Sequence, residues 1–179
     1  TGQDGSYMCE LLLKKNYKVY ALVRKSATGN TKNIDHLINN EKVMDKKFFL
    51  VKGDLNDHNS IRNIISTVKP NEIYNFADQD HVGWSFAIPS YSLMTTSHSL
   101  INILESIKST NKNIKYFHPL SSNMFGKTKS KLQDENTSFN PQSVYAISKV
   151  TCYHLSNLYR DIYGLKIYNT IYSNHESPR

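Results

Sequence analysis

Short apolar runs rich in Val, Ile, Tyr and Phe alternate with helix-period segments along the whole chain, and this alternation limits the fold more than any other feature. The runs at 17–23, 48–52, 72–77, 114–121 and 165–172 are bounded by Gly, Asn, Asp or Lys, as strands are. Helices are predicted between them at 5–15, 60–68, 91–108 and 143–163. In the first, Met8, Leu11 and Leu12 recur at i, i+3 and i+4 and predict one buried face. Pro70 helps to stop the second. Parallel strands need a crossover, and helices supply it. The expected fold is therefore α/β, a doubly wound parallel sheet formed by residues 1–179 as one domain. The polar stretches 27–47 and 126–141 are expected to be long loops, the first with a short helix.

Thr1-Gly2-Gln3-Asp4-Gly5 reads as a glycine turn of the kind that follows a strand. The sheet is therefore expected to lack its first, central strand, and the closing Asn174–Arg179 stretch to be an interrupted loop. A fragment of this kind is expected to be poorly soluble alone.

Composition excludes several classes. The chain is 39% hydrophobic, enough for a real core, but no apolar run approaches a membrane-spanning helix. A formal charge of +7 permits phosphate binding. The basic residues are scattered rather than interleaved with aromatics, so a small anionic ligand is expected and nucleic acid is not. Cys9 and Cys152 form no Cys-x-x-Cys pair, and the seven histidines show no metal spacing. Buried thiols, no metal site and a reducing, cytoplasmic setting are expected. Trp84 is expected to pack internally.

Four local patterns could carry chemistry. Gly2-x-x-Gly5 opens a helix, where backbone N–H groups can approach a pyrophosphate. Arg24-Lys25-Ser26 ends the first predicted strand, and these residues suit a ribose 2′-phosphate where an acid would suit a hydroxyl. Gly53-Asp54-Leu55 follows the next strand, placing a carboxylate where an adenine amino group could donate. Tyr145 and Lys149 stand at i and i+4 on one helix face, and the ammonium can ease ionisation of the phenol. Each admits a plainer reading alone: a strand-to-helix turn, a solvated basic pair, two helix-surface residues. Ser121 at a predicted strand end makes the set much rarer, because doubly wound folds place their sites at strand ends.

With these residues in view, the chain resembles the extended short-chain dehydrogenase/reductases, most closely the GDP-mannose 4,6-dehydratases. The resemblance rests on Thr1–Tyr7, Val23–Ser26, Ile34–Leu37, Gly53–Leu55, Glu72–Asn75, His81-Val82 with Ser85-Phe86, Tyr145-Ala146 with Lys149, and Asn174–Arg179. It implies a Rossmann-like, NADP-binding half of a longer enzyme, with most of the substrate domain elsewhere. It also implies GDP-mannose as sugar-nucleotide substrate, lyase activity and a homo-oligomer at full length. The implied cofactor contacts are Gly2, Gln3, Asp4, Gly5, Arg24, Lys25, Ser26, Asp54, Leu55, Phe76, Ala77, Asp78, Gln79, Asp80, Tyr91, Lys149 and His175. The implied catalytic residues are Ser121, Asn123, Tyr145 and Lys149; the implied substrate contacts are Ser85, Ser121, Asn174 and Glu176.

Three departures stand out against that family. Asn123 takes the place of its catalytic glutamate, Asp78 and Asp80 replace small residues around Gln79, and Ser99-Leu100 falls where a Gly-Thr pair is usual. The two acids are expected to lie near phosphate and weaken binding. The missing glutamate leaves open a sugar-nucleotide 4-epimerase or 4-reductase, or an impaired nucleotide-binding paralogue.

Overall fold

A computed structural model describes residues 1–27, 29–129 and 132–179. Five strands, β1 (Val19–Val23), β2 (Phe48–Lys52), β3 (Glu72–Tyr74), β4 (Lys115–Ser121) and β5 (Lys166–Tyr172), alternate with helices. The helices are α1 (Gln3–Lys14), α2 (Asp35–Ile38), α3 (His58–Val68), α4 (Val82–Ala87), α5 (Pro89–Leu93), α6 (Ser99–Thr110) and α7 (Val144–Tyr163). All strand pairs are parallel. They form two sheets, β1–β2 in register Val19 to Phe48, and β3–β4–β5 in registers Glu72 to Lys115 and Lys115 to Lys166.

Each sheet has its own core. Cys9, Val19, Ala21, Ile34, Leu37 and Phe48 pack α1 and α2 against β1–β2. The larger core joins Leu100, Leu104 and Ile107 of α6 to Tyr116, Leu120, Cys152 and Ile167. Leu55, Ile61 and Ile65 belong to this second core although they follow β2, so α3 ties the two sheets together. Burying such a Leu or Ile side chain is worth about 1.5–3 kcal/mol.

The expected alternation stands, with local corrections. The buried stripe of α1 runs through Ser6 and Cys9, with Leu12 and Leu13 packed alongside, whereas Leu11 is exposed. The helix is thus turned from the stripe its apolar residues suggested, because only its edge toward β1 and α2 meets a core. The single helix expected at 91–108 is α5 and α6 joined by a π-turn at Met94–His98. Hydroxyl side chains in that stretch bond backbone groups: Ser99 Oγ donates to Thr95 O at 2.6 Å and Ser97 Oγ to Ser148 O at 3.1 Å. That competition loosens the regular ladder. The short helix α4 was not expected; its cap is a histidine, His81, whose Nδ1 accepts from Trp84 N.

β3 is shorter than 72–77 because Asn75 turns the chain. Its side-chain oxygen accepts the Ala77 N–H at 3.1 Å, an Asx turn that ends the strand and delivers residues 76–80 to the strand-end surface. The loop at 126–141 is as expected in its described part, residues 130 and 131 lying outside the described residues; so does residue 28 of the 27–47 segment. Cys9 and Cys152 are free, buried thiols.

Candidate active site

A cleft of about 420 Å³ opens at the carboxyl ends of β1, β2 and β3. Its walls bring together Gly2, Arg24, Asp54, Leu55, Phe76, Ala77, Asp78, Gln79, Asp80 and Tyr91, residues drawn from five separate stretches of sequence. Gly2 caps α1 and has no atom within 4 Å of where a Cβ would lie. Arg24 Nη1 donates to Tyr91 Oη at 2.9 Å, which holds the guanidinium over the cleft with other N–H groups to spare. Gln79 is buried, and its Oε1 meets no partner among the described residues. An open glycine at a helix N-terminus, a guanidinium and an orphaned buried acceptor are features that fit a dinucleotide.

Some expected contacts lie elsewhere. Lys25 and Ser26 are exposed beyond the cleft lining. Gln3, Asp4 and Gly5 continue into α1, and His175 sits on them: its Nε2 is 3.0 Å from Asp4 Oδ2, while Gln3 Nε2 donates to His175 O. The Ser173 carbonyl and then the Asp4 carboxylate raise the His175 pKa. Ser85 is fully buried and its hydroxyl donates to Val82 O at 2.7 Å, so it does not face the cleft. Asn174 and Glu176 are exposed and do not line it. Conversely, Leu22, Asn30, Gly53 and Thr95 line the cleft without having been singled out as contacts of its ligand, while His81, read from the sequence as a contact rather than a metal ligand, lines it too. Trp84, expected inside, is 60% exposed at the cleft rim, because α4 stands on the surface.

The Ser121, Tyr145 and Lys149 group is built by β4 and α7. Ser121 is the last residue of β4, and its hydroxyl accepts the Asn123 N–H, starting a turn of 3-10 helix. Ser143 Oγ accepts from Ala146 N at 3.1 Å and so fixes where α7 begins. That start puts Tyr145 in the first turn and Lys149 one turn later, both buried. The Lys149 ammonium lies 5.6 Å from the centre of the Tyr145 ring. Burial raises the Tyr145 pKa, opposed by Lys149 and a hydrogen bond with Ser121, while Asp80 and Asp78 push it further up.

Asp78 and Asp80, expected near phosphate, line the cleft and also converge on one cation. Both bind Lys149 Nζ at 2.9 Å. The lysine also donates to Pro119 O at 3.1 Å. Burial alone would lower its pKa, yet Asp78 and Asp80 hold it well above the ordinary lysine value. His118, buried in β4, is 3.6 Å from Asp78 and accepts or donates at Tyr116 Oη, 3.1 Å away. Burial pushes its pKa down to about 4 against the attraction of Asp78, so its ring is neutral. Among the described residues no cluster of His, Cys, Asp or Glu could hold a metal ion, and no helix is long and apolar enough to cross a membrane.

A parallel α/β fold with Ser121, Tyr145 and Lys149 gathered beside its strand-end cleft, joined to the cleft wall through Asp78 and Asp80 rather than lining it, defines the class, a short-chain dehydrogenase/reductase-like domain. Solved structures agree on the fold. The UDP-Glc/GlcNAc 4-epimerase of Campylobacter jejuni matches 96% of this chain and 50% of its own, with TM-score 0.83 and 19% identity. A dTDP-glucose 4,6-dehydratase double mutant from Streptomyces venezuelae, with NAD bound, matches 93% and 51%, with TM-score 0.81 and 23% identity. The family model for GDP-mannose 4,6 dehydratase matches residues 1–179, and the chain belongs to that family. GDP-mannose 4,6 dehydratase 1 of Arabidopsis thaliana is 42% identical over all of this chain and 51% of its own length. The Vibrio cholerae GDP-mannose 4,6-dehydratase is 38% identical over all of this chain and 49% of its own. The chain thus spans about half the length of the curated relatives it matches.

Proposed function

We propose that the whole protein is an NADP-dependent GDP-mannose 4,6-dehydratase, a hydro-lyase that removes water from GDP-mannose to give GDP-4-keto-6-deoxymannose. The observation that carries this reading is the grouping of Ser121, Tyr145 and Lys149, with Lys149 bound to Asp78 and Asp80 of the cleft wall, in a chain matched from end to end by that family. In the proposal, residues 1–179 are its cofactor-binding domain. Gly2, at the start of α1, faces the pyrophosphate, Asp54 and Leu55 hold the adenine, and Arg24 holds the 2′-phosphate. No acid stands at the end of β1, which favours NADP over NAD.

When bound, NADP supplies a reversible hydride acceptor for the sugar. The chain supplies the proton chemistry. Tyr145 Oη takes the proton of the C4 hydroxyl, and Ser121 Oγ hydrogen-bonds the same oxygen. Lys149 stabilises the phenolate, the ionised form that burial otherwise disfavours. The resulting ketone acidifies C5–H, whose loss expels the C6 hydroxyl as water and leaves a C5=C6 double bond; return of the C4 hydride to C6 and of a proton to C5 would then complete the 6-deoxy product. Asn123 cannot accept that proton, since an amide has no useful basicity near neutral pH.

That single position favours a second reading, a 4-epimerase or 4-reductase, or an impaired paralogue, which needs only Ser121, Tyr145 and Lys149. Incubating the full-length protein with GDP-mannose and NADP separates them. Product lighter by one water supports the dehydratase, while an isomer of unchanged mass overturns it. The proposal includes a homo-oligomer, supported by the exposed Ile147, Leu158 and Ile162 stripe on α7, and a cytoplasmic setting, supported by two reduced cysteines.

A further inference from the structure

We infer that Asp78 is a positioning residue, which fixes Lys149 from beneath the cleft and, with Asp80, opposes part of the charge this ammonium lends to Tyr145 and to a nucleotide ribose. The inference rests on the proposed roles of Tyr145 and Lys149 beside NADP. An ammonium has three N–H donors. Here all three are engaged, by Asp78 Oδ2 at 2.9 Å, Asp80 Oδ1 at 2.9 Å and Pro119 O at 3.1 Å. None is left for a ribose hydroxyl until one partner lets go.

Exposure decides which one does. The Asp78 side chain is wholly buried, and its other oxygen accepts from Asn75 Nδ2 at 2.8 Å, so it is held from both sides. Half of the Asp80 side chain is open to the cleft. Asp80 is therefore the exchangeable partner and Asp78 the permanent one. His118 faces Asp78 from β4, but its neutral ring does not offset the carboxylate, and its Nε2 has no hydrogen-bond partner among the described residues.

Both acids oppose the attraction that Lys149 offers a Tyr145 phenolate, Asp80 more than Asp78. The groups facing this phenol are Lys149 on its own helix, Ser121 from β4, and Asp78 and Asp80 from the turn after β3. Asp4 of α1 acts on Asp80, and Cys152, whose pKa burial raises, stays a neutral thiol behind Lys149. Removing one carboxylate charge should make the phenolate easier to form and weaken the hold on the lysine, so that an N–H turns more readily to the cofactor.

The test uses the full-length protein with Asp78→Asn, which keeps an acceptor for Lys149 but removes a charge. The ultraviolet tyrosinate titration of each protein, less that of the same protein carrying Tyr145→Phe, gives the Tyr145 midpoint with no cofactor present. That midpoint should fall by about one pH unit or more in D78N. NADP should bind several-fold more tightly. An unmoved or raised midpoint in folded D78N overturns the inference, because a merely structural role would alter stability without altering the titration. If D78N does not fold, Asp80→Asn carries the same two expectations, and no change in either overturns it. Absence of NADP binding by the unaltered protein would refute the cofactor reading, while the tyrosine midpoint would still decide the role of Asp78.

Discussion

Asn123 donates from Nδ2 to the Ser121 hydroxyl at 3.1 Å, and its backbone N–H reaches the same oxygen at 3.2 Å. The residue in the glutamate position therefore touches a proposed catalytic hydroxyl but brings no base. General-base assistance is worth about 10²–10⁴ in rate. Asn123→Glu in the full-length protein is expected to raise water loss from GDP-mannose by a factor in that range, read by product mass. An unchanged rate would mean that another group already takes the C5 proton.

Arg24 is the one residue of the Arg24-Lys25-Ser26 trio that reaches the cleft, steadied by Tyr91. Arg24→Ala should weaken NADP binding by about tenfold or more, the scale of one lost charge-assisted phosphate contact, and leave NAD binding nearly unchanged. Titrating both nucleotides against the two proteins checks this. Equal losses for both would place Arg24 on a phosphate common to the two.

The strand–helix order was legible in the sequence because periodicity reports which face of an element is buried. The residues at strand ends were legible for the same reason: locating Val23, Lys52 and Ser121 as strand termini located Arg24, Asp54 and the Ser121 hydroxyl. What stayed hidden depended on distant partners. No local pattern says that Asp78 and Asp80 meet Lys149, seventy positions on, or that Asn75 turns the chain to bring them there. Likewise the apolar Leu11 faces outward because of what α1 packs against, and Ser85 is spent on its own helix.

Gly126 closes the 121–126 turn under strict steric demand. Its φ is +51°, and a Cβ there would lie 1.8 Å from the Asn140 carbonyl oxygen. Asn140 in turn binds both sides of it, its N–H donating to Met124 O and its Nδ2 to Lys127 O. Gly126→Ala should cost at least about 1–3 kcal/mol, seen as a lower urea midpoint with little change in slope. Because the collision is with backbone, relaxation must move the 121–126 turn, and turnover should fall with stability.

His118 should make stability sensitive to mild acid. Buried and neutral, with its pKa depressed to about 4, it resists a proton that the unfolded chain accepts near 6.5. The unfolded state therefore binds more protons in that interval, and stability falls as pH drops through it. Above about pH 6.5 this penalty is absent. Between there and pH 4 the contribution is on the order of 3 kcal/mol, about 1.4 kcal/mol for each unit of displacement. Other groups titrate over the same range, so the comparison is with His118→Gln, which removes only this proton site. Urea unfolding of the two full-length proteins at pH 7 and pH 4.5 should show the original losing about 2 kcal/mol more than the variant. Equal losses would mean that the ring gains its proton in the folded state, most directly from an interaction with Asp78 stronger than the 3.6 Å separation supports.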